Sequence, residues 1–258
     1  MKIAFGVFDW GLGHATRDLP LIEALLKRKH KIHIISTGRA LVILRKYFKN
    51  TCTYHDVVSM YSPHTTSRFF QVNYALSIPK ILRSLKVSRK IIEGILEKNK
   101  FDLVISDCRA DVYDSVENSY FINHQLRFKS FPGIQAVLEK SLAKKMNNYK
   151  YILVPDFENP NLSGVLSHHL RYINKDRIKY LGVLSYFKKK KVKEDIDIFV
   201  SISGPEPQRT VLEGILLPML RKMKGNIVVT LGKPELKEFK TDKNIQIYSF
   251  LGPQKQGE

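Results

Sequence analysis

With 258 residues, 43% of them hydrophobic, the chain is long enough for one or two globular domains with a sizeable core. Its formal charge of +19 favours anionic partners (nucleic acid, anionic lipid or phosphorylated substrates), a solvated lysine-rich surface being the plain alternative. No run approaches the ~18–20 apolar residues of a membrane span, Met1-Lys2 opens no cleavable leader, and Cys52 and Cys108 lack metal or disulfide spacing, so a cytoplasmic protein is expected.

In chain order, a β-branched strand over Lys2–Phe8 is followed by a helix over Ala15–Arg28, with Leu19, Ile22, Leu25 and Leu26 at helical spacing. A second strand covers Ile32–Ser36. The next long helix runs over Ile78–Glu97, where Ile81, Leu82, Leu85, Ile92 and Ile95 recur with the same period. Strands at Leu103–Ser106, Ser119–Ile122 and Tyr151–Val154 follow, with a helix over Pro132–Met146 before the last of them. Such βα alternation predicts a doubly wound parallel sheet over residues 1–184. The segment 185–195 is charged and aperiodic and reads as a basic linker. The pattern restarts with a strand Ile198–Ile202, a helix Pro207–Lys224, and strands Asn226–Leu231 and Ile245–Tyr248. Residues 196–258 thus form a second α/β layer expected to be incomplete, a natural truncation or a fragment.

The strongest local signal is Asp9-Trp10-Gly11-Leu12-Gly13-His14-Ala15-Thr16-Arg17, between the first strand and the first helix. Glycines there admit close backbone approach, and a helix N-terminus favours an anionic or phosphorylated group. The third glycine of a dinucleotide fingerprint is missing, and no acid ends the second strand. His14 has the chemistry of a general base, since an imidazole titrates near working pH. A histidine bonded into the turn is the structural alternative. At later strand ends, Asp107 has the chemistry to orient an imidazole and Arg109 to bind a phosphate, or each is an ordinary polar loop residue.

Gly11 to Arg17, followed by Leu19 to Ile32, resembles the opening of GT-B glycosyltransferases. It is similar above all to the glycosyltransferase family 28-like group, related to the peptidoglycan enzyme that adds N-acetylglucosamine to a lipid-linked acceptor. The resemblance implies His14 as catalytic base and Gly11, Gly13 and Arg17 as acceptor-side contacts. Asp102–Arg109 and Phe121–Leu126 resemble the family's next cleft strands, which adds Asp107, Arg109, His124 and Gln125 to the acceptor side. The segment Phe199–Thr210 resembles the loop that cradles the donor diphosphate, implying Ser203, Gly204, Gln208, Arg209 and Thr210 as donor contacts. It departs from the family by one glycine and two prolines where relatives are glycine-rich, and each proline removes an N–H. Ser249-Phe250-Leu251 resembles the segment against the nucleotide base, implying Phe250 and Leu251.

The implied fold is GT-B-like α/β, a Rossmann-like N-terminal domain plus an incomplete second Rossmann-like domain. The implied reaction is transfer of a sugar from a nucleotide-diphosphate donor, of the uridine kind, to an acceptor hydroxyl that is lipid-linked in the nearest group. No cofactor beyond that substrate and no metal is implied, because the sequence shows no ligand spacing. The rival readings are a nucleotide-sugar epimerase on the same fold and a non-catalytic or truncated relative binding an acidic ligand. Specific nucleic-acid binding is not expected, since no helix-turn-helix, RNA-recognition or zinc signature is present. Lys80, Arg83, Lys86 and Lys90 share one face of the predicted 78–97 helix, either simply solvated or suited to anionic headgroups on the inner face of a membrane.

Overall fold

A computed structural model describes residues 1–63, 70–127, 132–187, 191, 194–252 and 255. Its first sheet has seven strands: β1 (Lys2–Val7), β2 (Lys31–Ser36), β3 (Thr53–Asp56), β4 (Leu103–Asp107), β5 (Ser119–Ile122), β6 (Tyr151–Val154) and β7 (Ile178–Tyr180). The spatial order is β3-β2-β1-β4-β5-β6-β7, and every neighbouring pair is parallel. Five of the six β1 residues are buried, which is why it reads as an unbroken apolar run and lies centrally. The strand order reverses between β1 and β4, so the carboxyl ends of these two strands open a crevice where such sheets bind ligands.

Helices close both faces. On one, α1 (Leu12–Lys27) and α2 (Gly38–Phe48) pack Leu19, Ile22, Leu41 and Leu44 against Ile3, Phe5 and Ile34. On the other, α3 (Phe70–Asn99) buries Ile92 and Leu96 against Ala4, Ile35 and Val104. A third helix, α4 (Pro132–Met146), places Met146 in a cluster with Phe121, Tyr149 and Ile152 under the β5–β6 end.

The second sheet has the order β10-β11-β9-β8, made of β8 (Ile198–Ser201), β9 (Ile227–Thr230), β10 (Phe239–Asp242) and β11 (Ile245–Tyr248). Only the β10–β11 pair is antiparallel. One helix, α5 (Gln208–Leu220), covers it through Leu216, Leu217 and Leu220 against Ile202, Val229 and Ile247. Between Tyr180 and Ile198 the described residues form no helix or strand; the linker expected at 185–195 lies partly at 188–190 and 192–193, outside the described residues.

Three strands and one helix go beyond the sequence reading. Strand β3 buries none of its four residues, β10 is wholly exposed, and β7 is a three-residue edge, so none carries a period-2 apolar signal. The missed helix α2 does carry a helical stripe, Ala40, Leu41, Ile43, Leu44 and Phe48, which its β-branched content disguises. Helix α3 begins eight residues before the expected Ile78 and continues through Pro79. Helix α5 starts one residue after Pro207.

Candidate active site

The loop after β1 delivers α1 to the switch point. Gly11 is the residue before the helix, in extended backbone, with no side-chain cap and no acid in the first turn. The early N–H groups of α1 therefore have neither a cap nor a neighbouring carboxylate. A Cβ added at Gly11 or Gly13 would meet nothing within 4 Å, so these glycines serve by leaving the backbone bare rather than by an unusual φ.

His14 lies in the first turn of α1, partly buried, with Phe8 packed edge-on at 5.3 Å between ring centroids. Its Nδ1 is 2.8 Å from Oδ2 of Asp107, the last residue of β4. Register explains the meeting: Val7, at the end of β1, pairs with Asp107. A carboxylate only accepts, so Nδ1 carries the proton and donates it, which leaves Nε2 with its lone pair. Arg17, one helical turn on, donates Nη2 to Oδ1 of Asp107 and Nη1 to Nδ1 of His124 at 3.1 Å. The same Nη2 stands 3.1 Å from His14 Nδ1; because that nitrogen already bears a proton, this is a close approach of a cation rather than a donated bond.

Burial raises the Asp107 carboxyl, but the hydrogen bond and charge of His14, with the Arg17 guanidinium, bring it below the ordinary Asp value. Burial first, then the Arg17 charge, lowers His124 to about 4, so it is a neutral acceptor for Arg17. His14, Cys108 and His124 bring three potential metal donors within 4.8 Å of one another. The guanidinium of Arg17 already occupies this cluster, and burial holds the Cys108 thiol well above its usual value, so the set suits a cation supplied by the protein better than a metal.

A cleft of about 540 Å³ runs between the two sheets; it is lined by Gly13 and Arg17, which flank His14 on α1, and not by His14 itself. Gly11, Gly13, Thr16 and Arg17 line one wall, and Ser203, Gly204, Phe250 and Leu251 the other. Gly204 has a φ of +123°, the left-handed side that glycine tolerates. The floor is completed by Thr230 and Gly232 at the end of β9, and one end by the connecting residues Leu184–Phe187. These were not singled out from sequence. Gly232 had a signal, a glycine directly after a strand: its φ is +63°, and a Cβ there would lie 2.5 Å from the Ile202 carbonyl oxygen. Arg39 of α2 bridges the lobes by donating to Glu235 at 3.0 Å and to the Gly232 carbonyl at 2.8 Å.

Several expected contacts are corrected by burial. Arg109 is fully buried, held by both Asp111 oxygens and Ser88, so it organises the core beneath the loop and presents nothing to an acceptor. Asp107 is fully buried too, and its carboxylate meets His14 and Arg17 rather than the cleft. Arg209 is 3% exposed, with its guanidinium spent on Glu206, Glu213 and the Leu231 carbonyl, so it does not reach a diphosphate. Thr210 donates its hydroxyl to Glu206. Neither Gln208 nor Gln125 lines the cleft, and the Gln125 N–H is taken by Asn123 Oδ1. His124 keeps an exposed edge while its Nδ1 side is covered by Arg17, and it does not itself line the cleft.

Residues 1–116 match the family model described as Glycosyl transferase family 1. No curated protein matches the chain. Among solved structures, Arabidopsis thaliana UGT89C1 complexed with quercetin is similar with a TM-score of 0.56 at 13% identity, covering 98% of this chain and 70% of its own. The same protein complexed with UDP-L-rhamnose gives 0.51 at 14%, covering 92% and 67%. The Streptomyces sp. SF2575 glycosyltransferase SsfS6, complexed with thymidine diphosphate, gives 0.51 at 12%, covering 89% and 67%. The fold is therefore the α/β fold of GT-B glycosyltransferases, and the family segment with these neighbours supports a transferase.

Proposed function

We propose that the chain transfers a sugar from a nucleoside-diphosphate donor to an acceptor hydroxyl. Residues 1–184 form the acceptor side and residues from 196 the donor side. The observation that carries this reading is the His14–Asp107 pair at the switch point, beside a cleft shared by the two lobes. In the reaction, Nε2 of His14 takes the acceptor proton as the hydroxyl oxygen attacks the anomeric carbon. The diphosphate leaves with the bonding electrons, and the imidazolium formed is stabilised by Asp107. The donor lies along Ser203, Gly204 and Gly232, with its base against Phe250 and Leu251. Bare backbone at Gly204, rather than Arg209, meets the phosphates. Uridine is the first base to test, and the neighbours' UDP-sugar and thymidine diphosphate complexes make thymidine the second.

A lipid-linked acceptor is supported by the outer face of α3. There the exposed Leu76 (73%), Lys80, Arg83, Lys86 and Lys90 share one side, opposite the buried Ser88 and Ile92. Ser84 of this helix accepts the N–H of Tyr61, whose neighbour Met60 accepts from Trp10 in the site loop, so this face adjoins the site. No described helix is long and apolar enough to cross a membrane.

The test is release of nucleoside diphosphate from UDP- and TDP-sugars, with polyprenyl-phosphate-linked and soluble acceptors compared. His14→Ala is expected to lower turnover by ~10²–10⁴, the range for a lost general base. Unchanged turnover removes His14 from the chemistry. Exchange of the sugar's stereochemistry without transfer would favour the epimerase reading.

A further inference from the structure

Helix α1 buries Ala15, Asp18, Leu19 and Ile22, the i, i+3, i+4, i+7 stripe of an amphipathic helix. A carboxylic acid thus occupies a place where an apolar side chain would ordinarily pack. Asp18 is 0% exposed, both its oxygens are shielded from solvent, and among the described residues neither meets an N–H or O–H. Among the described residues the group placed against it is itself a carboxyl, that of Asp107, which acts on it by charge and hydrogen bond.

Two buried carboxyls in contact cannot both ionise without a severe electrostatic cost, and sharing a proton turns the clash into a hydrogen bond. The groups facing the pair are Arg17 and His14 on α1 and Cys108 beyond β4, with His124 behind Arg17. Only Arg17 is a permanent cation. His124 is neutral at pH 7, and Cys108 keeps its thiol proton. One positive charge therefore matches one carboxylate. That carboxylate is Asp107, because it already accepts from His14 and Arg17, whereas Asp18 accepts from none of the described residues.

We propose that Asp18 is a protonated carboxylic acid that donates to Asp107, a positioning residue that sets how strongly Asp107 holds the His14 ring. This rests on the reading of His14 as the base. Burial, then the Asp107 charge, lifts the Asp18 carboxyl well above the ordinary Asp value, with Arg17 opposing. With Asp18 added to His14 and Arg17 as a donor, Asp107 still fixes the ring by Nδ1 but pulls less on the imidazolium.

Two measurements test this. In wild-type protein with ¹³C-labelled aspartate, assigned through the Asp18→Asn spectrum, the Asp18 carboxyl carbon is expected to report the protonated form at pH 7. An ionised signal overturns the proposal, and this readout needs no turnover, so it stands apart from any failure of the transferase reading. The second is the pH–rate profile of diphosphate release. Asp18→Asn keeps a neutral donor toward Asp107 and is expected to keep kcat within about threefold and the acid limb unmoved. Asp18→Leu removes the donor; its acid limb is expected to move to higher pH by about one unit, with kcat at pH 6 reduced about tenfold and KM for the donor sugar unchanged. An Asp18→Asn profile displaced to lower pH would mean that a negative charge had been removed, and would overturn the proposal. Equal effects of Asn and Leu on kcat, with no movement of the limb, would assign Asp18 to packing alone.

Discussion

At His14 the surrounding hydrogen bonds decide which ring nitrogen carries the proton, and Asp107 is what decides it. Asp107→Asn keeps the shape, but its amide can donate to Nδ1 and stabilise the wrong tautomer. We expect a loss of turnover of at least ~10² with KM for the donor little changed, measured by steady-state kinetics. Asp18 gives a stability prediction of definite sign. Its folded value lies above its unfolded one, so the native state keeps a proton that the unfolded chain releases. The associated stability is fully present below the ordinary Asp value of 3.8 and is lost as pH rises toward the folded value. Asp18→Asn has no proton to retain. It should therefore unfold at a temperature higher by at least ~2 °C at pH 7, with the advantage gone near pH 3.5, as scanning calorimetry at the two pH values would show. Asp107 runs the other way: its depressed value contributes stability above 3.8 that disappears as pH falls through the folded value.

Elements differ in how much they depend on single residues. The turn after β9 depends on Gly232, where a side chain meets both a left-handed φ and the Ile202 carbonyl. Gly232→Ala is expected to cost about 1–3 kcal/mol in denaturant unfolding and to weaken nucleoside-diphosphate binding, because the displaced turn lines the cleft. The β4–β5 connection depends on Arg109, whose guanidinium lies against Asp111 and, at 3.8 Å, Asp9. Arg109→Ala strands buried carboxylates and should cost about 3–5 kcal/mol. Arg109→Lys should recover only part of this, since an ammonium cannot reproduce the planar fork. Had Arg109 bound an acceptor phosphate, the variant would instead keep its stability and raise the acceptor KM. Helix α5 leaves Val211, Ile215 and Met219 exposed at i, i+4 and i+8 while Leu216, Leu217 and Leu220 reach the sheet.

Across the whole molecule, polar groups on α2 link the two lobes. Arg39 reaches Glu206, Glu235 and the Gly232 carbonyl from α2, and Lys46 donates to the Pro234 carbonyl. Arg39 is partly exposed and both its acids more so, so Arg39→Ala should change unfolding free energy by less than about 1 kcal/mol. Its effect belongs on geometry instead. A looser pairing of the walls should raise the KM for the donor and speed proteolysis in the 181–197 connection, both readable without a change in melting temperature.

The sequence by itself determined the βα alternation, the two-sheet arrangement, and the strand-end positions of His14, Asp107 and His124. These follow from local periodicity and from glycines at a strand-to-helix turn, which short windows of sequence carry. It also marked Ser203, Gly204, Phe250 and Leu251, which the fold brings into one cleft. Only the tertiary structure decided which charged residues were available to a ligand. Arg17, Arg109 and Arg209 look alike in sequence. Yet Arg109 and Arg209 are consumed by Asp111, Glu206 and Glu213, and Arg17 by Asp107 and His124, because burial forces each guanidinium to take the nearest carboxylate or ring nitrogen. Asp18 shows the converse. The sequence reading passed over it, and its meaning depended on Asp107, far along the chain, arriving beside it through the parallel pairing of β1 and β4.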